Sequence, residues 1–450
     1  MIVEDKKENL NLRASGITSR EPMRSRKQRA AGFMTERLLQ FIWQFQYFNT
    51  SELKTAAGED LQIIFPGTYN ANQGPDFADA KIRIGKTTWA GSVELHIRAS
   101  DWNRHNHQVD KNYNNVVLHV VWENDFPNYN IPVLNLENRI AGSLLQRYEE
   151  LMNAQGFIAC ERSISSVRHI ILQSWKERLL AERLTRKSLI VHELLEQNNQ
   201  HWEETFWWLL ARNFGVKINA ESFESMARSI PVSILAKHKN QIHQLEALLM
   251  GQANLLGHRF SDDYAILLQR EYEFYKTKYK LRPGAMTPFF LRMRPGNFPT
   301  IRLAQLAMLI HNSEHLFSKI TETDSVKDVK NWLNITANDY WHYHYRFDEP
   351  SSFKRKRLGS AMIDNIVINT VCPVLFAYGH FHKEQKYTDR AIRWLEEVRA
   401  ESNSITKGFQ QLGVENKNAR DSQALIELKN QYCTKKKCLD CAIGNALLKS

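Results

Sequence analysis

TTWAGSVELHIR, at residues 87–98, is the stretch that decides the fold of this 450-residue chain. Apolar and polar side chains alternate along its second half, which predicts a β-strand. Similar short runs lie on both sides of it, bounded by Gly, Pro, Asn or Asp, the residues that end strands. They are LQIIF (61–65), AKIRIG (80–85), NVVLHVVWE (115–123) and, as a possible fifth strand, IPVLNL (131–136). The sequence therefore predicts a mixed sheet.

Helices flank this sheet in the sequence. TERLLQFIWQFQYF (35–48) has an apolar face at helical spacing and Thr35 as its N-cap. A short helix is expected around Asp110–Tyr113. From Val167 onward the period is 3.6 almost throughout, without a fixed repeat. We predict an α+β protein with a basic, disordered arm (1–33), an α/β core (34–160) and an irregular helical domain (161–450) that ends in a cysteine cluster.

Composition narrows the classes of function. The net charge is +11, which favours a polyanionic partner such as nucleic acid. No run of roughly 20 uncharged apolar residues is present, and the chain does not begin with the pattern of a secretory signal. We therefore expect no membrane partner. The five cysteines do not suggest a disulfide framework, which favours a cytoplasmic location.

The residues best suited to chemistry lie between Asn70 and His119. Gly74-Pro75 forces a turn that presents Asp76 at the start of a strand. Glu94 and His96 lie two apart on a later strand, so they share one face while Leu95 faces the core. Neighbouring strands would bring Asp76, Glu94 and His96 together. Carboxylates with an imidazole suit Mg²⁺, Mn²⁺ or Zn²⁺.

This trio has the groups that phosphodiester cleavage needs. Two carboxylates hold a cation that neutralises phosphoryl charge, and a third group positions or deprotonates water. The layout resembles the restriction-endonuclease-like PD-(D/E)XK nuclease core, an α-β-β-β-α-β unit with a Pro-Asp motif and a Glu-x-Lys motif. The matching residues are Pro75-Asp76 and Glu94-Leu95-His96. His96 replaces the usual lysine, and a neutral imidazole can bind metal. The resemblance also implies a catalytic carboxylate on the first helix, at Glu36.

Further polar residues follow closely. His105 and His107 flank Asn106, so both imidazoles could converge on one cation or phosphate. Arg98 and Arg104 could hold phosphate. Asp101, Asp110, Tyr113 and His119 complete the set. The alternative for each histidine is a hydrogen-bonded structural role.

A second candidate site is Cys433-x4-Cys438-x2-Cys441. Such spacing suits Zn²⁺ or an iron–sulfur cluster. Cys160 and Cys372 are both available as the fourth ligand. Use of Cys160 would clamp the C-terminus onto the sheet domain, and the arrangement then loosely resembles the iron–sulfur site of some RecB-type nucleases. Lys435, Lys436 and Lys437 would stabilise thiolates. The alternative is a set of free thiols.

A third feature is RMRPGNFPTIRLAQLAMLI (292–310). Arg292, Arg294 and Arg302 surround its Pro-Gly-Asn-Phe-Pro turn. They could contact the phosphates of nucleic acid. Alternatively, they are solvated arginines at a helix entry, which is the interpretation we favour.

Several strings together resemble the bacterial domain-of-unknown-function 2851 (DUF2851) family over residues 34–450. They are GPDF-x-x-A-x-I, GSVELH, DWNRHNHQVDKNY, VVLHVVW, RPGNFPTIRLAQLA and the terminal cysteines. That family implies no activity, so function rests on the residues. Three hypotheses follow: a metal-dependent nuclease or phosphodiesterase, an inactive nuclease-like scaffold that binds nucleic acid or protein, and a zinc-dependent hydrolase with another substrate.

Overall fold

The computed structural model describes residues 34–126, 130–291, 293–313 and 315–449. The arm predicted for residues 1–33 and the side chain of Arg292 lie outside the described residues. The chain divides into two compact units, residues 1–155 with 444–450, and residues 156–443. The division lies five residues before the predicted boundary at 160, and the last seven residues belong to the first unit.

The first unit contains the mixed sheet. Its elements are α1 (Glu36–Gln44), β1 (Leu61–Phe65), β2 (Thr68–Tyr69), β3 (Phe77–Ile84), β4 (Thr87–Arg98), α2 (Asp101–Arg104), a 3₁₀ turn (Lys111–Tyr113), β5 (Val116–Glu123), β6 (Val133–Asn135) and α3 (Gly142–Asn153). The predicted strands 61–65 and 87–98 are confirmed to the residue, and the N-cap at Thr35 accepts a hydrogen bond from Leu38 N. The α+β class is confirmed.

Strand order in the sheet is β1-β3-β4-β5-β6, with β2 paired to β3. The pairs β1–β3 and β3–β4 are antiparallel, whereas β4–β5 and β5–β6 are parallel. A two-residue loop joins β3 to β4. Parallel strands cannot be joined by such a loop and need a longer crossover. The chain between β4 and β5, residues 99–115, is that crossover, and it carries His105 and His107.

Strand β4 lies inside the sheet, and its second half, residues 92–96, is buried on both faces. Leu95 is 1% exposed, as predicted, but Glu94 and His96 on the opposite face are only 6% and 2% exposed. Strands with parallel neighbours are commonly covered on both sides. Helix α1 packs on β4 with a fully buried apolar face, and Trp43 Nε1 donates to the carbonyl of Pro66 at 2.9 Å. The polar pair therefore lies in a covered part of the sheet.

The second unit is helical, as predicted from Val167 onward. Its α-helices are α4 (His169–Gln197), α5 (Trp202–Phe214), α6 (Val216–Arg228), α7 (Val232–His238), α8 (Ile242–Gln252), α9 (Asp263–Tyr279), α10 (Pro299–Asn312), α11 (Leu316–Glu322), α12 (Val326–Trp332), α13 (Ser360–Ile366), α14 (Cys372–His382), α15 (Gln385–Glu397), α16 (Ser404–Gln411) and α17 (Ala419–Glu427). A last helix, α18 (Ala442–Lys449), ends the described chain.

Shorter elements interrupt these helices. They are 3₁₀ turns at Ile164–Ser166, Pro295–Asn297 and Asp339–His342, a hairpin of β7 (His344–Arg346) and β8 (Glu349–Pro350), and π-helical turns at Val367–Val371 and Leu428–Cys433. The sequence did not predict the hairpin. Both π turns continue an α-helix, and such turns occur often at functional sites.

One helical run within the described residues, Ser360–His382, is long and apolar enough to cross a membrane by length and composition. It contains Asp364, and 67% of its most apolar window is buried inside the protein. A helix buried in this way has the character of a core helix, whose apolar side chains pack against the helices around it.

Replacing Gly91 by alanine tests the close approach of β4 to the crossover. A Cβ at Gly91 would collide with the carbonyl oxygen of Asn115, so the backbone must shift and we expect the free energy of unfolding to fall by about 2 kcal/mol. At Gly257, where a Cβ would meet nothing within 4 Å, the same change should cost less than about 0.5 kcal/mol. Urea denaturation measures both, and equal losses would contradict this packing.

Candidate metal centre

Two backbone-to-carboxylate hydrogen bonds join Asp76 to Glu94 and Leu95 on strand β4. Gly74, with φ of +106°, allows the turn that sets Asp76 just before β3. There, Asp76 N donates to Glu94 Oε2 at 3.0 Å, and Leu95 N donates to Asp76 Oδ2 at 3.1 Å. The structure thus brings together the two carboxylates that the sequence singled out.

Burial and neighbouring negative charges raise the pKa values of both carboxyl groups. Burial, and to a smaller extent the charge of Glu36, raise the pKa of Asp76 to about 6 against hydrogen bonds that lower it. Burial and the nearby Asp76 raise the pKa of Glu94 to about 8. Gln40 also donates to Asp76 Oδ1 at 2.7 Å. A cation bound between these groups would relieve the repulsion.

Four histidines meet beside Glu94. His96 Nδ1 lies 2.9 Å from His119 Nε2, and His96 Nε2 lies 3.1 Å from His105 Nδ1. Asn106 adopts a left-handed conformation, φ +59°, which turns the crossover so that His105 and His107 face the same side. One ligand atom from each of His96, His105 and His107 lies within 4.8 Å of the others.

Glu94 adjoins two of these imidazoles but lies outside the group of three whose ligand atoms are all within 4.8 Å of one another. Its Oε1 lies 3.6 Å from His96 Nε2 and 3.5 Å from His107 Nε2. His107 Nε2 is buried and has no hydrogen-bond partner among the described residues. This nitrogen faces a carboxylate and two further imidazoles. A buried polar atom without a partner in such surroundings is typical of a position that binds an ion.

The imidazoles are in the protonation state that binds metal. Burial, followed by the neighbouring histidines, lowers the pKa of His96 to about 2. Burial likewise lowers the pKa of His119 to about 4 and lowers that of His107. These rings are therefore neutral near pH 7, with a lone pair available on one nitrogen each.

The donor set fits borderline cations better than hard ones. Three imidazole nitrogens and one carboxylate oxygen suit Zn²⁺ and other transition ions such as Mn²⁺, whereas Mg²⁺ prefers oxygen ligands throughout. His119 contacts the second nitrogen of His96, the position from which outer residues usually orient a ligating histidine. Of the metals predicted from the sequence, the geometry favours Zn²⁺ and Mn²⁺.

Aromatic rings enclose this group. Tyr113 stacks on His107 with ring centroids 3.8 Å apart, and Trp102 meets the rings of His96, His107 and His119 at 5.2–6.5 Å. The sequence analysis gave no role to Trp102 or Gln40. Gln40 lies one helical turn after Glu36 on α1, and that spacing is a signal that could have identified it.

The other polar residues of the crossover mainly serve the loop itself. Asp101 accepts from Arg98 N at 3.1 Å and pairs with Arg104 at 2.8 Å. Asp110 caps the 3₁₀ turn by accepting from Asn112 N at 2.9 Å. The Arg98 side chain pairs with Glu123 at 3.3 Å. Arg98 and Arg104 were both proposed as phosphate contacts. The charge of Arg104 lowers the pKa of His96, which indicates that Arg104 is the one nearer to the imidazoles.

The four predicted thiol ligands lie in the second unit. Lys429 Nζ donates to the carbonyl of Phe157 at 2.5 Å and lies over its ring, which ties the segment containing Cys160 to the π turn that ends at Cys433. Cys160 and Cys433 each lie close enough to Cys438 and Cys441 to be affected by their charge. The structure therefore brings Cys160 to the terminal cysteines.

Cys372 lies elsewhere, buried at the start of α14, where the neighbouring charges are Lys187 and Lys330. Burial raises the pKa of Cys160 to about 12 and that of Cys438 to about 11. Lys435, Lys436 and Lys437 are exposed, and although Lys436 lowers the pKa of Cys438, burial outweighs it. Lys436 thus acts on Cys438 in the predicted direction, but its effect is smaller than that of burial. Cys160 belongs to the second unit, so a clamp onto the sheet domain through it is not supported.

The arginines of the 292–310 segment are placed differently from one another. Arg294 is exposed. Arg302 is 7% exposed and contacts Asn297 and Gln305. A buried guanidinium is not a surface contact for nucleic acid, although Arg294 remains available for one.

The comparisons with known proteins gave one match. A family model described as "Protein of unknown function (DUF2851)" matches residues 36–404. No curated protein and no solved structure matches the chain. The matched range includes the whole histidine group and Cys160, and it ends before the terminal cysteines.

The raised pKa of Glu94 predicts proton release on metal binding. With a pKa of about 8, Glu94 is mostly protonated at pH 7, and a cation must displace that proton. We expect Zn²⁺ binding to release most of one proton at pH 7 and progressively less above pH 8, measured by calorimetry in buffers of different ionisation enthalpy. Glu94→Gln should remove this release, whereas Glu123→Gln, at the end of β5, should retain it. Equal release from both variants would rule out Glu94 as a ligand.

Proposed function

Since this chain belongs to the DUF2851 family of proteins of unknown function, we propose from its residues that it is a metal-dependent hydrolase of phosphodiesters in nucleic acid. The observation that carries the proposal is the convergence of the Asp76–Glu94 pair with the imidazoles of His96, His105 and His107. The net charge of +11 supports a polyanionic substrate.

The order of elements supports a nuclease-like core. Helix α1 is followed by β1, β3 and β4, then by the short helix α2 and the parallel strand β5. This is the α-β-β-β-α-β order of the PD-(D/E)XK core, with β2 added on β3. Asp76 precedes one central strand and Glu94 lies on the next, as the two motifs require. Glu36 on α1 lies near both carboxylates, since its charge raises the pKa of each.

The side chains divide the chemistry as follows. Glu94, His96, His105 and His107 would hold the cation, which would neutralise phosphoryl charge and make a water molecule more acidic. Asp76 is the candidate general base, because its pKa of about 6 is closer to neutrality than that of an ordinary aspartate. Its bond to Leu95 N fixes the orientation of the carboxylate. Arg104, whose side chain is 69% exposed, is positioned to meet phosphate.

The donor set also favours a second candidate function, a zinc-dependent hydrolase of a different substrate. Imidazole-rich sites are typical of zinc, and His96 stands where PD-(D/E)XK nucleases have a lysine. If the missing lysine abolishes turnover, the same core would serve as a scaffold that binds nucleic acid or protein. Each of these three functions predicts a different combination of cleavage, binding and ester hydrolysis.

Purified protein with Mn²⁺ or Zn²⁺ should nick supercoiled DNA or cleave RNA, and a chelator should stop it. Asp76→Asn should lower the rate about 100-fold by removing the general base, and Glu94→Gln should abolish metal-dependent cleavage. Glu123→Gln, purified in the same way, is the matched control and should cleave like the parent protein.

The outcomes separate the three functions. Equal cleavage by the parent protein, Asp76→Asn and Glu94→Gln would mean that a contaminant cuts, and would remove the nuclease proposal. Salt-sensitive binding without turnover would favour the scaffold. Zinc-dependent hydrolysis of another ester, lost in Glu94→Gln, would favour the zinc hydrolase.

We propose in addition that Cys160, Cys433, Cys438 and Cys441 bind an iron–sulfur cluster. A single zinc ion with bonds of about 2.3 Å needs sulfurs only about 3.8 Å apart. Among the described residues, no three cysteine sulfurs lie within 4.8 Å of one another. In a [4Fe–4S] cluster each thiolate binds a different iron, so its sulfurs lie further apart. The grouping of four mutually influencing thiols, without three sulfurs as close as one zinc ion needs, therefore favours a [4Fe–4S] cluster.

Protein purified without oxygen should contain iron and acid-labile sulfide and absorb visible light. Cys160→Ser and Cys433→Ser should each lose most of the iron, whereas Cys372→Ser, which changes a buried cysteine away from the group, should keep it. Stoichiometric zinc without acid-labile sulfide would show that these cysteines bind zinc and not an iron–sulfur cluster. Iron retained in Cys160→Ser would exclude Cys160 as a ligand.

A further inference from the structure

A cleft of about 640 Å³ opens among the helices of the second unit. Its walls come from α4, α5, α6, α10, α13, α14 and the π turn between the last two. Lys187, Arg212, Lys217 and Arg302 line it, and none of its described lining residues is acidic. Arg212 is already paired with Glu224, which lies outside the lining. A concave surface with charges of one sign is a site for a ligand of the opposite sign.

Arg302 is the strongest indication of a ligand. It is 7% exposed, and its guanidinium donates to the amide oxygens of Gln305 at 3.0 Å and Asn297 at 2.5 Å. Its Nε is buried and has no hydrogen-bond partner within the described part of the chain. Burial lowers its pKa to about 10, with no acidic partner to oppose the shift. A buried cation without a counter-charge is costly, and an anion in the cleft would supply one.

Lys187 contributes a second enclosed cation. Its Nζ donates to Asn369 Oδ1 at 2.9 Å and to Gln423 Oε1 at 3.4 Å, both neutral amides. The nearby Glu427 is already paired with Arg183 and Arg186, at 3.1 and 2.5 Å. Lys187 therefore also lacks a carboxylate in contact. Burial, followed by the charge of Arg183, lowers the pKa of Lys187 to about 7, with Glu401 opposing the shift, so a bound anion would favour its charged form.

The π turn Val367–Val371 supplies neutral polar groups to the same wall. Its residues Asn369 and Thr370 both line the cleft, and Thr370 Oγ1 accepts from Asn213 Nδ2 at 3.0 Å. Asn365, one turn earlier on α13, lines the cleft as well. Amides and hydroxyls add hydrogen bonds to an anion without adding charge.

The rest of the lining is apolar. Leu209, Val216, Met362 and Val374 belong to it. A cleft of this size, mostly apolar with a few convergent polar groups, is typical of small-molecule sites. The cations select the head of the ligand, and the aliphatic wall accepts a flat or apolar body.

We propose that this cleft binds a small organic phosphate of about the size of a mononucleotide. The phosphate would contact Arg302 and Lys187, and the base and sugar would lie against the aliphatic wall. A phosphate monoester is favoured over a carboxylate because it carries up to two charges and three acceptor oxygens, enough for both cations and the amides. The cleft lies entirely in the second unit, so the proposal does not depend on the hydrolase function.

Calorimetry on the full chain tests this, with adenosine 5′-monophosphate, adenosine and inorganic phosphate as probes. A chelator in the buffer prevents nucleotide from binding through metal at the histidine group. We expect the monophosphate to bind at least about tenfold more tightly than adenosine, because one charge-assisted hydrogen bond increases affinity by about that factor. Inorganic phosphate should bind more weakly and compete. No binding of the monophosphate, or equal binding of adenosine, would overturn the proposal.

Substitutions locate the site. Arg302→Gln should weaken the monophosphate about tenfold. Asn365→Asp, which adds a carboxylate to the wall and leaves the buried cations in place, should weaken it similarly and remains informative if the Arg302 variant does not fold. Arg178→Gln removes a cation from the exposed face of the same helix as Lys187, where Arg178 pairs with Glu182, and should have no effect. Unchanged affinity in Asn365→Asp, or equal losses in all three variants, would refute the site.

Discussion

Strands β4 and β5 run parallel, so the chain between them must cross from one end of the sheet to the other. Glu94 pairs in register with His119, so this polar patch lies between the point where the crossover begins and the point where it ends. The crossover has to pass over His96, and it does so with His105 and His107 turned inward by the left-handed Asn106. The candidate metal centre is thus a consequence of how the sheet is connected, and the crossover cannot be shortened without losing it.

Burial shifts the pKa values of the groups in the candidate metal centre, and the direction of each shift affects metal binding. Burial raises the pKa values of Asp76 and Glu94 and lowers those of the histidines. Glu94 and the buried histidines His96 and His119 are therefore mostly neutral near pH 7, whereas Asp76, with a pKa of about 6, is mostly ionised. Such a site is costly, because it buries carboxyl groups and ring nitrogens with few partners. A divalent cation reverses the balance by favouring the ionised carboxylates and by using the imidazole lone pairs.

Much of this could be predicted from sequence, and the limits have physical causes. The alternation in 87–98 identified β4 and the face shared by Glu94 and His96, because a period of two is a local property. Local patterns do not report strand order, so they could not show that the parallel neighbour β5 brings His119 to His96. The choice between Cys160 and Cys372 also depended on long-range contacts, such as that between Lys429 and Phe157. From the sequence, Arg302 was interpreted as a solvated arginine at a helix entry. Burial of a helix on every side depends on the elements that pack around it, so it cannot be predicted from the residues of that helix alone.

The histidine group and the group of four thiols differ in chemistry. This difference would lead them to bind different metals. Thiolates are soft and select zinc, copper or iron–sulfur clusters, whereas imidazoles with a carboxylate accept borderline ions and tolerate manganese. The thiols in this chain are buried, and burial raises their pKa values, so a metal must displace protons to bind them. The rings of His96, His107 and His119 are already neutral near pH 7, and the main proton to be displaced at their site is that of Glu94. The histidine group would therefore bind metal with less proton displacement and a weaker pH dependence than the thiol group. Each ligating thiol must lose a proton, so the thiol group would bind metal less well as the pH falls.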